Sequence, residues 1–202
     1  MAPLSKGLEL LESAVGYALC GITPGASQLL SRPTPCAGWD LELLLDHVSD
    51  SIGVLHQAIA AGTADAPAAP AGHPGAGPDP VARLRGRACG LLGACAAAGP
   101  GGRLVAIGAR QLTASLVTVT AALEIAVHGW DIAVACGAGR PVPPGLATAL
   151  LAIAPLVIGP ADRAGLFAEP VRLPGPACPG DQLVAFLGRH PAIPGHPAGL
   201  YQ

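Results

Sequence analysis

The stretch Ala121-Ala122-Leu123-Glu124-Ile125-Ala126-Val127-His128-Gly129-Trp130-Asp131-Ile132-Ala133 constrains this chain more than any other. It is apolar almost all the way round, the pattern of a helix buried on every side. Yet it carries Glu124, His128 and Asp131. Successive helical residues turn by about 100°, so steps of four and seven leave these three within roughly 60° of one another. Thr113 and Thr120 continue the stripe upstream, with Val117 interrupting it. Unpaired burial of polar groups is costly, so such a stripe must be met by partners, a ligand or a metal. Function is expected there.

The 202 residues suit one domain with room for a substantial core. A hydrophobic fraction of 51% against 12% charged excludes general disorder. With aromatics at only 3%, the core has to be built from Ala, Leu, Val and Ile, which points to closely packed helices. A formal charge of -2 gives no electrostatic case for nucleic acid or an anionic membrane surface. The best candidate for a membrane span is the uncharged run 141–160, but Pro141, Pro143, Pro144, Pro155 and Pro160 cut it. Its apolar heart, 146–158, is too short for a hydrocarbon layer of about 30 Å. Glu9 and Glu12 follow Lys6 too closely for a secretory signal. A soluble, cytoplasmic protein is expected. Cys20, Cys36, Cys89, Cys95, Cys136 and Cys178 form no C-x-x-C pattern, so reduced and mostly buried thiols are expected.

Leu4, Leu8, Leu11, Val15 and Leu19 recur at steps of three and four, predicting a first amphipathic helix over 4–20. Asp40 is a suitable N-cap for a second helix, with Glu42 in its first turn and Gly62 at its end. Leu41, Leu44, Leu45, Val48, Ile52, Leu55 and Ile59 form its core stripe. His47 sits at one edge of that stripe and His56 about half a turn away, so only one of them can face a given neighbour. Residues 63–80, rich in Ala, Gly and Pro, read as a mobile loop placed over a pocket mouth. A third helix is predicted over 81–98, an extended segment over 103–111, and the central helix over 112–136. Pro143 and Pro144 open a fifth helix running to Ile158. Residues 166–173 read as a short strand or extended arm, and 181–187 as a last short helix. With no repeat and no alternation of strands and helices, the fold class is all-α. We expect a bundle forming one domain over 1–202, with a C-terminal appendage over 160–202.

Glu124-x-x-x-His128 puts a carboxylate and an imidazole one turn apart, so one helix can grip a divalent ion while a neighbouring helix brings the third ligand. A local hydrogen-bonded pair is the commoner use of that spacing. The apolar surroundings favour the metal, because this helix otherwise has no reason to hold charge inside. His47 is the natural third ligand. His56, His73, His190 and His196 are expected at the surface.

Pro33-Thr34-Pro35-Cys36-Ala37-Gly38-Trp39-Asp40-Leu41, followed by Leu44-Leu45-Asp46-His47-Val48, resembles the start of the second helix in the DinB-like metalloproteins. The branch it resembles is that of mycothiol-dependent maleylpyruvate isomerase. Glu124-x-x-x-His128-Gly129-Trp130-Asp131-Ile132-Ala133 resembles that branch's second signature. Phe186-Leu187-Gly188-Arg189-His190-Pro191 is similar to its usual ending, with His where Asp is commoner before the proline. The resemblance implies a DinB-like four-helix bundle with extra C-terminal helices. It also implies a divalent metal, usually zinc, held by His47, Glu124 and His128. Asp131 would stand behind His128 or face substrate; pairing with a nearby arginine is an equal alternative. Trp39 and Trp130 read as scaffold, and Cys36 as a buried structural thiol rather than a reactive one.

The resemblance further implies that the metal activates a small thiol such as mycothiol for attack on a small electrophilic substrate, giving isomerisation or S-transfer. The isomerase has an additional C-terminal domain for which 202 residues leave no room. Arg83, Arg87, Arg110 and Arg189 match its substrate-binding arginines by charge only. Two other readings stay open: a metal enzyme using no thiol, acting as Lewis acid or activating water, and a non-catalytic metal- or ligand-binding protein. No nucleic acid and no membrane partner is expected. Dimerisation through 145–158 is an open alternative to internal packing.

Overall fold

The computed structural model describes residues 3–65, 79–98, 103–159, 163 and 167–191. In chain order its elements are α1 (Pro3–Gly21), a 3-10 turn (Ala26–Gln28), α2 (Leu41–Ala61), β1 (Thr63–Ala64), α3 (Pro80–Ala98), β2 (Leu104–Ile107), β3 (Arg110–Thr113), α4 (Ala114–Ala135), α5 (Pro144–Val157) and α6 (Pro179–Phe186). The chain divides into two compact units, Met1–Arg140 and Pro141–Gln202. The boundary falls before α5, some twenty residues ahead of the appendage expected from 160.

In the first unit α1 packs along α4 and α3 along α2, while α2–α4 and α1–α3 contacts close the bundle. The scarcity of aromatics has the consequence expected of it. A Cβ placed on Gly129 would stand 2.8 Å from both Cα and Cβ of Ala18, and one on Gly21 would stand 3.2 Å from Cβ of Ala133. At the Gly129 seam, helix α4 is thus drawn against α1 with backbone rather than side chain between them. Away from that seam Leu11, Leu41, Leu44, Leu45, Ile52, Leu91 and Ile125 are buried.

The ends of α2 follow their sequence signals. The Asp40 carboxylate accepts from the Leu43 backbone N–H at 3.0 Å, and Gly62 closes the helix in the left-handed region at φ 85°. Helix α4 begins on Thr113, whose hydroxyl accepts from the Leu116 N–H at 3.2 Å. Between α2 and α3, the buried Asp46 carboxylate pairs with the Arg83 guanidinium.

Two features depart from the sequence reading, and a third settles between its alternatives. Thr63–Ala64, expected as loop, pairs in parallel with β2, and β2 pairs antiparallel with β3 around Gly108, so a small three-stranded sheet caps a mostly helical fold. The rest of that expected loop, residues 66–78, lies outside the described residues. Of the two readings of segment 166–173, the described residues 167–173 take the arm rather than the strand, with Val171 N–H donating to the Ala185 carbonyl at 2.8 Å. Among the described residues the helix long and apolar enough to cross a membrane is α4, not the run 141–160, and 72% of its most apolar window is buried inside the protein. Helix α5 is shorter and carries Pro155 within it.

In the second unit α5 packs with α6. The Arg163 guanidinium lies 4.7 Å from the centre of the Phe186 ring and donates to the Phe186 carbonyl at 2.9 Å. Leu183, Val184 and Leu187 are fully buried.

Candidate metal centre

The site is assembled from α4, α2 and the loop that leads into α2. That loop is a narrow reversal. Pro33 and Asp40 bridge antiparallel, and Thr34 N–H donates to the Trp39 carbonyl at 3.1 Å. The Thr34 hydroxyl accepts from Cys36 N–H at 3.2 Å and reaches the Trp39 carbonyl at 3.0 Å. Gly38, at φ 79°, makes the turn. Cys36 and Trp39 are thereby fixed beside the first turns of α2, where His47 lies two turns beyond the Asp40 cap.

His47 from α2 and Glu124 and His128 from α4 meet, one donor atom of each lying within 4.8 Å of the other two. The His47 Nε2–Glu124 Oε1 distance is 3.6 Å. The two imidazoles stand nearly perpendicular with centres 5.3 Å apart, and the Trp39 ring meets the His47 ring edge-on at 4.7 Å. The His47 and Glu124 side chains are 25% and 28% exposed, so the cluster is open to solvent on that side. Behind it, His128 Nδ1 lies 3.1 Å from Asp131 Oδ2, and the Asp131 side chain is 0% exposed. The Cys36 thiol donates to the same carboxylate oxygen at 3.2 Å, with its sulfur 3.9 Å from His128 Nδ1.

Burial holds the His47 imidazole below the usual histidine range, and the facing His128 adds to this. Glu124 and Asp50 pull the other way. Neutral histidine is the form that can offer a lone pair to a metal.

The donors suit a divalent ion. Two imidazoles and a carboxylate form a nitrogen–oxygen set of the kind zinc accepts, and tetrahedral bonds of about 2.0–2.2 Å bring donors to roughly 3.3 Å from one another. The 3.6 Å between His47 Nε2 and Glu124 Oε1 is near that spacing. Three protein ligands would leave a fourth position open. With its Nδ1 edge occupied by Asp131, His128 is left to present Nε2, the arrangement by which a carboxylate fixes a ligand histidine's tautomer.

Of the other histidines, His56 faces α3, its ring against Gly90, and His190 is exposed. His73 and His196 lie outside the described residues. Among the charge-selected arginines, Arg83 is engaged with Asp46, Arg87 lies against Gly53 and Arg189 donates to the Leu187 carbonyl at 2.9 Å, while Arg110 is exposed on β3.

Sequence reasoning undervalued Cys36. Expected as a buried structural thiol, it is half-buried and reaches the buried carboxylate of the site. The signal available was the Thr34-Pro35-Cys36 turn itself, but only the closed loop shows where the sulfur points. The expectation of mostly buried thiols also fails more widely: Cys20, Cys89 and Cys178 are exposed and only Cys95 and Cys136 are buried.

A family model described as the mycothiol maleylpyruvate isomerase N-terminal domain matches residues 22–133, a span that takes in the loop, α2 and α4 as far as Asp131. The chain is also 29% identical over 182 residues to an uncharacterized protein of Mycobacterium tuberculosis strain CDC 1551, covering 79% of this chain and 85% of that protein. An uncharacterized protein of strain H37Rv matches to the same extent. No solved structure matches significantly.

Proposed function

Because the chain belongs to the mycothiol maleylpyruvate isomerase N-terminal domain family, we propose that it is a divalent-metal enzyme. It uses a low-molecular-weight thiol, such as mycothiol, for S-transfer to, or isomerisation of, a small electrophilic substrate. The observation that carries this reading is the meeting of His47, Glu124 and His128 from two helices at a partly open face of the bundle.

In this reading His47, Glu124 and His128 hold the ion, zinc being the species best suited to the set. When bound, such an ion acts as a Lewis acid and lowers the pKa of a thiol at its open position to the neutral range. The chain's own groups prepare the site. Asp131 accepts the His128 Nδ1 proton and so aims Nε2 at His47 and Glu124. Trp39 limits rotation of the His47 ring. Fixing these side chains before the ion arrives lowers the entropy cost of binding.

The test is metal content of the purified protein and of His128→Ala by mass spectrometry, then assay with mycothiol and with glutathione. About one ion per chain, lost in the variant, with an adduct formed from thiol and an activated alkene, is expected. Turnover in thiol-free buffer would replace the thiol reading with Lewis-acid or water-activating chemistry. A folded wild-type protein that takes up no added zinc would overturn the metal reading itself.

A further inference from the structure

A second set of donors lies against the opposite edge of His128. Cys36 Sγ, His128 Nδ1 and Asp131 Oδ2 are separated by 3.2 Å (sulfur to oxygen), 3.1 Å (nitrogen to oxygen) and 3.9 Å (sulfur to nitrogen). Around a single tetrahedral zinc, with bonds of about 2.3 Å to sulfur and about 2.0–2.1 Å to nitrogen and oxygen, such donors lie roughly 3.3–3.6 Å apart. All three pairs are within a few tenths of an ångström of that triangle. We propose that Cys36, the Nδ1 edge of His128 and Asp131 form a second cation site, selective for thiophilic divalent ions. It excludes occupation of the His47–Glu124–His128 site by the same molecule.

Exclusion follows from the chemistry of one ring. A neutral imidazole carries one lone pair and one N–H on its two nitrogens. With an ion on Nε2, Nδ1 carries the proton and donates it to Asp131. With an ion on Nδ1, the proton sits on Nε2, on the edge the ring otherwise offers to the first ligand set. Occupation of both edges requires an imidazolate, which neutral pH disfavours. His128 thus serves one ion at a time, and its tautomer records which.

The two sets differ in character. His47, Glu124 and His128 offer nitrogen and oxygen alone. The second set contains a thiol, which favours zinc, cadmium and other soft or borderline ions over magnesium or calcium. Ion binding there releases one proton: the Cys36 thiol proton leaves to solvent, while the His128 proton moves from Nδ1 to Nε2. Cys36 is half-buried, whereas Asp131 is wholly enclosed, so the cysteine is the more accessible member of the set. The closed loop around Thr34 and Gly38 holds the sulfur in place before any ion arrives.

Cobalt(II), added to metal-free protein, tests this by a signal that needs no enzymatic activity. A sulfur-to-cobalt charge-transfer band is expected in Glu124→Ala, where the first ligand set is broken, and is lost when Cys36→Ser or His128→Ala is added to it; the wild type, in which the two sets compete for His128, should show a weaker band. In Glu124→Ala, cobalt should also slow iodoacetamide alkylation at Cys36, followed by peptide mass, by about tenfold or more, because a bound sulfur is no longer a free thiolate. A band that persists with Cys36→Ser belongs to the exposed Cys20, Cys89 or Cys178 and overturns the proposal. So does Glu124→Ala with no band and unprotected Cys36. If the wild type then still binds cobalt, the first site stands while the second falls. Should Cys36→Ser fail to fold, the alkylation rate in Glu124→Ala decides.

Discussion

Helix α4 has two working faces, and they are built on opposite principles. Towards α1, around Gly129, it presents almost no side chain: Gly129 lies against Ala18 so closely that even a methyl group would overlap it at 2.8 Å, and Ala133 lies against Gly21. Towards α2 and its leading loop it presents Glu124, His128 and Asp131, the polar stripe. Gly129 follows His128 directly, so the tightest seam and the candidate ligand are adjacent residues. The close backbone contact at Gly129 fixes where the opposite face stands, and the candidate ligands project from there. Close backbone contact sets position; the polar side chains supply the candidate ligands.

The largest expected effect tests the silent face. Gly129→Val puts three carbons where one does not fit, against backbone atoms of Ala18 that cannot move aside as a flexible side chain would. Overpacking of this kind costs about 1–3 kcal/mol and more when backbone must shift, so we expect about 3 kcal/mol, read from urea denaturation. Metal uptake should fail with it. An unchanged midpoint would show that the α1–α4 seam is not tight in solution.

The polar face should respond in the opposite manner. Asp131→Asn keeps the shape but loses the charge that holds the His128 proton, and metal affinity should fall about 10–100-fold. Calorimetric zinc titration measures it, alongside a denaturation midpoint that moves far less than in Gly129→Val. Equal loss of stability in the two variants would erase the distinction between the faces.

What the sequence shows of this arrangement depends on how local its cause is. The ends of α2 are legible because Asp40 and Gly62 act within one turn of themselves. The meeting of Glu124, His128 and Asp131 on one stripe follows from helical geometry, and the buried helix from its apolar surround. The position of Cys36 does not follow from any period, because it depends on Pro33 pairing with Asp40 across a turn. The sheet is hidden for a related reason: strands of two and four residues are too short to show alternation, and β1 exists only because β2 returns to it from forty residues away. The unit boundary at Arg140 is masked by glycines and prolines that read as an ordinary helix connection.

A smaller effect probes the link between local cause and site. Asp40→Ala removes the cap on α2 and should cost about 1 kcal/mol. The loop is tied to this end of α2 by the backbone bridge between Pro33 and Asp40, so fraying of the uncapped first turn should loosen the loop that carries Cys36. Faster alkylation of Cys36 at unchanged rates for Cys20 and Cys89 is the expected signature. Uniform acceleration of all three would mean global unfolding instead.

The smallest effect lies in the pH dependence of the metal-free protein. Burial, and then His128, hold the folded-state pKa of His47 below its ordinary 6.5. Above 6.5 the ring is neutral in both folded and unfolded chains and contributes no pH dependence. As pH falls below 6.5 the unfolded chain takes up a proton that the folded chain refuses, so the unfolded state binds more protons and stability drops. The loss is complete once the pH is below the folded value, where both forms are protonated. His47→Gln should therefore show a shallower fall in urea midpoint between pH 7.5 and 5.5, in chelator, than the wild type. An identical slope in both proteins would mean that protonating His47 costs the fold nothing. His128, facing His47 from α4, would then not oppose the charge on the protonated ring.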